Sequence, residues 1–355
     1  MIDLSQRNQK RAVFSGSVGD YVTDDSFCSC PAGLFHGKCK HMEAIKSMPL
    51  KTFEQSAKEL KQIKSSIDGL NTVYGGYFYN SDALIALYGK YESGKTLLLF
   101  QDVEYMVSQG KNVLFIDTEG GMKNMFSKWD SVFESRFGKF TGKKYLEVLK
   151  GLSNLTEYLG YRTQIVFKSK GKSGVVEEDD DASKSKDKGK MEFRIIESIP
   201  AQVDEDVEKG KIDHIVLDSL SAPLKVIPTD QQNFPARATA SALILSKLLL
   251  LQDKFNVSVA VTSHASVNPA NTYATSLDAS MWGGVTLHHF SKRIVLINKS
   301  DKVDLKDYRR IWIVRVEDDA QFSNMVVVKI GDSGVEEVKD KIDGIVTSGE
   351  QRRMV

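Results

Sequence analysis

Cysteine is almost missing from this chain of 355 residues: there are three, and all lie between Cys28 and Cys39. An odd, tightly clustered set excludes a disulfide-stapled scaffold and points to metal ligation instead. An excess of charge of either sign is missing too. Lys and Arg number 48, Asp and Glu 47, and the net charge is +1. No global basic field pulls on nucleic acid, so any DNA contact must come from local patches. No apolar run is expected to span a membrane, and the first residues lack the apolar stretch of a signal peptide. These absences predict a soluble, cytoplasmic protein. An ordinary apolar fraction, 41%, is present and suffices for a sizeable core. The length suits two or three domains, or one large α/β domain with attachments.

One stretch organises the rest. Leu84-Ile85-Ala86-Leu87-Tyr88 is a short apolar run. It leads into Gly89-Lys90-Tyr91-Glu92-Ser93-Gly94-Lys95-Thr96, and an apolar-periodic segment follows. Strand, G-x-x-x-x-G-K-T and helix in that order form a phosphate-binding loop. Gly89 and Gly94 let the backbone wrap so that its N–H groups converge on phosphate oxygens. The helix beginning near Lys95 aims the positive end of its dipole at the same anion. Lys95 is placed to reach the β- and γ-phosphates of ATP, and the Thr96 hydroxyl to bind Mg²⁺. A glycine-rich turn matching by accident is the rival, and average residue usage gives that about 1% of the time in a chain of this length.

The cysteines belong to a separate module over residues 1–49. Cys28, Cys30, Cys39 and His41 are spaced C-x-C-x8-C-x-H. Three thiolates and an imidazole make a tetrahedral set for a structural Zn²⁺. The pattern resembles the SWIM zinc finger. Arg11–Ser17 and Gly19–Thr23 suit a small hairpin, and Cys39 onward can start a short helix. So small a segment cannot build its own core, so metal would supply its folding energy. His36 is a competing ligand inside the loop. The resemblance implies DNA or protein interaction without choosing between them. Lys38, Lys40, Arg11 and Lys46 suit a phosphate backbone or, equally, a solvated face. Residues 50–64 read as a linker with Phe53, Ala57, Leu60 and Ile63 at roughly helical spacing.

Residues 65–340 alternate strand and helix patterns, which predicts a mostly parallel sheet covered on both faces. The expected strands are Leu84–Tyr88, Val113–Asp117, His214–Asp218, Val257–Thr262 and Arg293–Asn298, with Arg309–Val316 and Met325–Ile330 closely spaced and antiparallel. The expected helices are Lys95–Ser108, Met122–Phe137 and Ala236–Lys254. Asp218 ends an apolar strand in the Walker B manner and suits Mg²⁺ ligation through water. Glu119 follows another such strand, where a carboxylate can activate an attacking water. A GTPase reading competes: Asp117-Thr118-Glu119-Gly120 fits D-x-x-G, and Asn298-Lys299-Ser300-Asp301 fits N-K-x-D. The stretch from Thr96 to Asp117 is too short for a switch loop and an extra strand, and Asp218 would be left without a role.

From Ile63 to Val338 the motif order resembles the RecA/RadA recombinase-type ATPases and their archaeal and phage relatives. Ser65–Leu70 and Tyr74-Gly75-Gly76 look like that family's approach to the phosphate loop. The resemblance implies a RecA-like P-loop NTPase core with a twisted, helix-flanked sheet. Glu119 falls on the family's catalytic glutamate, Asp218 on its Walker B aspartate, and His264 on the end of the strand carrying the γ-phosphate sensor. Leu220–Pro235 corresponds to the first DNA-binding loop, with Arg237 just beyond. Ala265–Trp282 corresponds to the second, and its length favours a functional loop. His288, His289, Lys292 and Arg293 resemble the family's Gly-Gly…His…Arg segment. Arg315–Ala320 and Asn324–Ile330 resemble the segment that caps a neighbour's ATP.

Residues 168–190 mix both charges with Gly and Ser and are expected to be disordered, between strands at Thr163–Phe167 and Glu192–Glu197 that suggest a hairpin. The tail, 341–355, is polar and expected to fray. The combined reading is a DNA-dependent ATPase for recombination or repair, with Glu119, Lys95 and His264 as catalytic residues. Its partners would be single-stranded or double-stranded DNA, contacted by Arg237, Lys292 and Arg293, and either itself in a filament or ring or a recombinase. A different class also fits: an ATP-switched protein-interaction module that does not use DNA.

Overall fold

The computed structural model describes residues 11–16, 19–24, 39–47, 60–138, 144–169, 172–175, 190–228, 233–266, 280–281, 284–299, 305–315 and 325–339. At the amino end, β1 (Arg11–Gly16) and β2 (Gly19–Asp24) pair as an antiparallel hairpin, with Gly16 opposite Gly19. A short helix, α1 (Lys40–Ser47), begins immediately after Cys39. Hairpin and helix fall where the sequence places them. Cys28, Cys30, His36 and Lys38 of the expected finger lie outside the described residues, as do linker residues 51–59 and the tail from 340 onward.

The core starts with β3 (Gln62–Ile63), α2 (Asp68–Val73) and β4 (Tyr79–Asn80). Then come β5 (Leu84–Gly89), α3 (Lys95–Ser108), β6 (Val113–Asp117) and α4 (Met122–Phe137). Next are β7 (Lys144–Val148) and α5 (Leu152–Tyr158). β8 (Tyr161–Ser169), β9 (Lys172–Val175) and β10 (Lys190–Ser198) form a separate three-stranded sheet ordered β10-β8-β9. After it come α6 (Gln202–Gly210), β11 (His214–Asp218) and α7 (Phe234–Phe255). The chain continues with β12 (Ser258–Ser266), β13 (Ser280–Met281) and α8 (Gly284–Phe290). It ends with β14 (Arg293–Lys299), β15 (Tyr308–Arg315), β16 (Met325–Gly331) and β17 (Gly334–Glu337).

The main sheet runs β17-β16-β15-β14-β5-β12-β11-β6-β7, with β13 paired to β12. From β14 to β7 every pairing is parallel, and β15, β16 and β17 add antiparallel strands at one side. The sheet is therefore mixed, as expected for a parallel core with late antiparallel additions. Every residue of β5, β6 and β11 is buried. That follows from strands covered on both faces, which read as continuous apolar runs. Alternation then sorts the side chains. Ile85 and Leu87 pack with Leu98, Leu99 and Phe100 of α3 and Phe133 of α4. Leu84 and Ala86 pack with Leu155 of α5, Val203 of α6 and Leu248 of α7.

Two expectations change. α7 is long and apolar enough, by length and composition, to cross a membrane, although no such run was expected. Its composition has another cause: Ala240, Ile244, Leu245, Leu248 and Leu251 are buried in the core. Disorder over 168–190 also does not hold throughout. β8 continues to Ser169 and pairs with β9, with Ser169 opposite Lys172. Ladder bonds come from the backbone and need no apolar side chains. The expected pairing of Thr163–Phe167 with Glu192–Glu197 is present between β8 and β10.

His214 opens β11 with no exposed surface. Its Nδ1 lies 2.7 Å from Ser258 Oγ, and its ring meets Tyr79 edge-on at 4.6 Å. Burial pulls its pKa down to about 3 from an ordinary 6.5. The unfolded chain therefore takes up a proton near pH 6.5 that the folded chain refuses, so stability falls as pH drops below that value. Between about pH 7 and pH 5 this one group removes roughly 2 kcal/mol. Urea unfolding at the two pH values should show a difference of that size between the wild type and His214→Gln. Equal pH dependence in both proteins would contradict a buried neutral imidazole.

Candidate functional site

Four parallel strands, β5, β12, β11 and β6, end side by side, and the candidate residues gather at those ends. β5 runs straight into the phosphate loop. A Cβ on Gly89 would lie 2.3 Å from the Ile297 carbonyl oxygen and 2.6 Å from Ser93 Oγ, so only glycine fits there. Gly94 has φ +98°, in the left-handed region, and its carbonyl accepts from Leu98 N–H, the first bond of α3. Lys95 folds back on the loop. Its Nζ donates to the carbonyls of Gly89 and Lys90, each at 3.0 Å. Burial lowers the Lys95 pKa, against the opposing pull of the Asp218 and Glu119 carboxylates. Lys90, Tyr91 and Glu92 are exposed at the loop's outer side, and Ser93 is buried.

Asp218 stands at the end of β11. The Thr96 hydroxyl donates to its Oδ2 at 2.8 Å. The Thr262 hydroxyl of β12 donates to its Oδ1. β12 lies between β5 and β11, so Thr262 supports the carboxylate from the intervening strand. Burial raises the Asp218 pKa, and the hydrogen bonds from Thr262 and Thr96 oppose that rise. A hydroxyl and a carboxylate held together are hard oxygen donors of the kind Mg²⁺ takes.

Glu119 follows β6. Ser219 Oγ donates to Glu119 Oε1 at 2.6 Å, and His264 Nε2 lies 3.1 Å from the same oxygen. The His264 contact, more than any other cause, holds the Glu119 pKa down at about 2, against partial burial. The β6 end is braced from within. Asp117 accepts from the backbone N–H groups of Glu119, Gly120 and Met122, at 3.0, 2.7 and 3.0 Å. Thr118 exchanges hydrogen bonds with the Ser219 backbone, at 2.7 and 2.8 Å. Asp117 is thus engaged in capping, which removes the aspartate that the D-x-x-G reading requires.

Expected residues Lys95, Thr96, Asp218, Glu119 and His264 come together. The proposed DNA residues do not. Arg237 lies in the first turn of α7, partly exposed. Lys292 and Arg293 sit at the start of β14, whose neighbour β5 runs parallel to it. They therefore lie at the end of the sheet opposite the phosphate loop. Arg293 is 8% exposed and donates through Nη1 to the carbonyls of Tyr77 and Phe78, at 3.1 and 2.5 Å. Its guanidinium also lies 4.5 Å from the Tyr74 ring centroid. Nη1 of Arg293 thus serves the fold, tying the start of β14 to the Tyr77–Phe78 backbone. The first expected loop is shortened by a 3₁₀ turn at Pro223–Val226 and by α7 beginning at Phe234, and residues 229–232 lie outside the described residues. So do 267–279 of the second loop and 316–324 of the late segment.

Among the described residues no group of three or more His, Cys, Asp or Glu side chains is placed to hold a metal ion. Cys39 and His41 are described, and the other two expected zinc ligands are not. Sequence spacing missed Thr262, Ser219 and Arg309, whose Nε donates to the Ser93 carbonyl at 2.9 Å. The weak signal for Thr262 was its position two residues before His264 on one strand.

No protein-family model matches the chain, and no curated protein matches it. Solved structures do. The RadB recombinase superposes with a TM-score of 0.50 at 18% identity, covering 78% of this chain and 100% of the recombinase. A KaiC-like protein from the hyperthermophilic archaeon Pyrococcus horikoshii gives 0.47 at 13% identity, covering 79% of this chain and 99% of that one. The likeness to the RadB recombinase is one of fold: the two share an α/β core built on a mixed, helix-flanked sheet.

Proposed function

We propose that the chain is a P-loop ATPase of the RecA/RadA type that acts on DNA in recombination or repair, as a filament or as an assistant to another recombinase. The observation that carries this is the convergence of Thr96, Asp218 and Glu119 beside one phosphate loop. Gly89–Thr96 binds the polyphosphate through backbone N–H groups, and Lys95 leaves its loop carbonyls for the β- and γ-phosphates. Thr96 and Asp218 hold Mg²⁺, whose charge offsets that of the phosphates. Glu119 orients the water that attacks the terminal phosphorus and accepts its proton. Ser219 and His264 meet the same Glu119 oxygen and hold the carboxylate ionised and oriented. His264 thereby links the end of β12 to the base, which suits a sensing role. The amino-terminal module binds Zn²⁺ through Cys28, Cys30, Cys39 and His41. The soluble, cytoplasmic setting expected from the sequence is retained in this proposal.

A second reading is favoured by one observation, the engagement of Arg293 within the fold. In that reading ATP switches protein assembly and DNA is not a ligand. ATP hydrolysis by the full chain, with and without single-stranded DNA, separates the two. The first reading predicts DNA-stimulated turnover and DNA binding that weakens steeply with salt, with Arg237→Ala weakening it further. Glu119→Gln should keep ATP binding and lose about 100-fold or more in kcat. Absence of hydrolysis under both conditions contradicts the ATPase reading, and hydrolysis indifferent to DNA together with salt-insensitive binding favours the second. Metal analysis of the same preparation should find one zinc per chain, and a zinc-free, folded amino-terminal module would contradict the finger.

A further inference from the structure

β15 carries a buried cation that faces the phosphate loop from behind. Arg309 is 7% exposed. Its Nε donates to the Ser93 carbonyl at 2.9 Å, and its Nη1 donates to the carbonyls of Lys306 and Tyr308, at 2.5 and 3.0 Å. Among the described residues no carboxylate lies within ion-pair distance of this guanidinium. Burial pushes its pKa down, and Asp307 and Glu92 only partly oppose that. Among the described residues its partners are neutral carbonyls, whose hydrogen bonds replace only part of the lost hydration of a buried charge. The arrangement becomes favourable when an anion arrives nearby, since attraction is strong where water is excluded.

The contact with Ser93 has a geometric consequence. The Ser93–Gly94 peptide is planar and trans, so its carbonyl and the Gly94 N–H point in opposite directions. A carbonyl fixed on Arg309 turns that N–H away from β15. The flanking residues are left-handed, with Glu92 at φ +59° and Gly94 at φ +98°, and the turn is held by Ser93 N–H donating to the Lys90 carbonyl at 3.2 Å and by the Gly94 carbonyl accepting from Leu98. Gly94 tolerates either sign of φ, and a rotated Ser93–Gly94 peptide would present an oxygen to the phosphates instead of a donor. β15 itself is held in register between β14 and β16, with Arg309 opposite Lys299 on one side and Val328 on the other. The guanidinium is therefore anchored on a paired strand and holds a peptide that lies in a turn.

We infer that Arg309 is a positioning residue of the phosphate loop, fixing the Ser93–Gly94 peptide so that the Gly94 N–H faces the bound phosphates. The inference rests on the nucleotide-binding reading above. It differs from the roles of Lys95 and Glu119 in its signature. A backbone donor at the helix end of the loop serves ADP and ATP alike, so its loss weakens both by the same factor and leaves the chemical step alone.

The test measures ADP and ATP affinity by calorimetry with Mg²⁺, KM and kcat for ATP, and thermal unfolding, for the full-length wild type, Arg309→Met and Arg309→Lys. Arg309→Met should bind ADP and ATP each about tenfold more weakly, as expected for loss of a charge-assisted hydrogen bond. Its KM should rise and its kcat should stay within about twofold. Arg309→Lys keeps the charge and one donor without the fixed fork, so it should fall between the two, about threefold weaker than the wild type. Wild-type ADP affinity in a folded Arg309→Met overturns the inference, and so does a loss confined to ATP. Should Arg309→Met fail to fold, Arg309→Lys decides: wild-type ADP affinity overturns the inference, and a matched loss for both nucleotides upholds it. A wild type that binds neither nucleotide overturns the nucleotide-binding reading along with it, and needs no variant to be recognised.

Discussion

The hydrogen bonds on the Asp218 carboxylate hold the site together. Oδ2 takes the Thr96 hydroxyl at the start of α3, and Oδ1 takes the Thr262 hydroxyl from β12. A buried carboxylate with one oxygen unpaired would carry a desolvation cost of a few kcal/mol. Both oxygens are paired here, so the end of β11 is tied to the phosphate loop's own helix across the strand that separates them. Ser219, the next residue, then reaches Glu119 and exchanges backbone bonds with Thr118. Three strand ends are fixed relative to one another by polar side chains that reach between them.

The helix behind the phosphate loop is anchored with similar economy. Asp102 of α3 is fully buried and accepts from Ser65 Oγ, from Ser66 N–H and Oγ, and from Tyr79 O–H. Gln101 beside it takes Val335 N–H on one amide atom and donates to the Val335 carbonyl with the other. The start of the core, the helix and the last strand are thereby joined through neighbouring side chains. Glu337 adds a bond to Gly69 N–H at 2.7 Å. A loop that must present backbone donors to an anion needs a helix that does not shift, and these buried polar bonds supply that rigidity.

Much of this was legible in the sequence. β6 and β11 have the limits the apolar runs suggest, and α3 and α4 match residue for residue. Those elements are long or strongly patterned, and their ends are marked by Gly or Asp. β7 and α6 were not foreseen. Lys144–Val148 is an edge strand with partly exposed side chains, and Gln202–Gly210 carries five charged residues in nine, so neither stands out by hydrophobicity. Thr262, Ser219 and Arg309 were missed because their partners are distant in the chain: Arg309 meets Ser93 across 216 positions. The bonds of Arg293 to the Tyr77 and Phe78 carbonyls were invisible for the same reason, since those carbonyls lie 216 and 215 positions earlier. Spacing identifies residues that act within one turn or loop and is silent about contacts made by the tertiary fold.

The central claim is that the Thr96–Asp218 pair is a Mg²⁺-nucleotide site. Calorimetric titration of ADP into the full chain, with Mg²⁺ and after chelation, tests it most directly when repeated on Asp218→Asn. The account predicts that Mg²⁺ strengthens ADP binding to the wild type and that this gain is largely lost in Asp218→Asn. An equal Mg²⁺ dependence in the two proteins, or no ADP binding by the folded wild type, would contradict it.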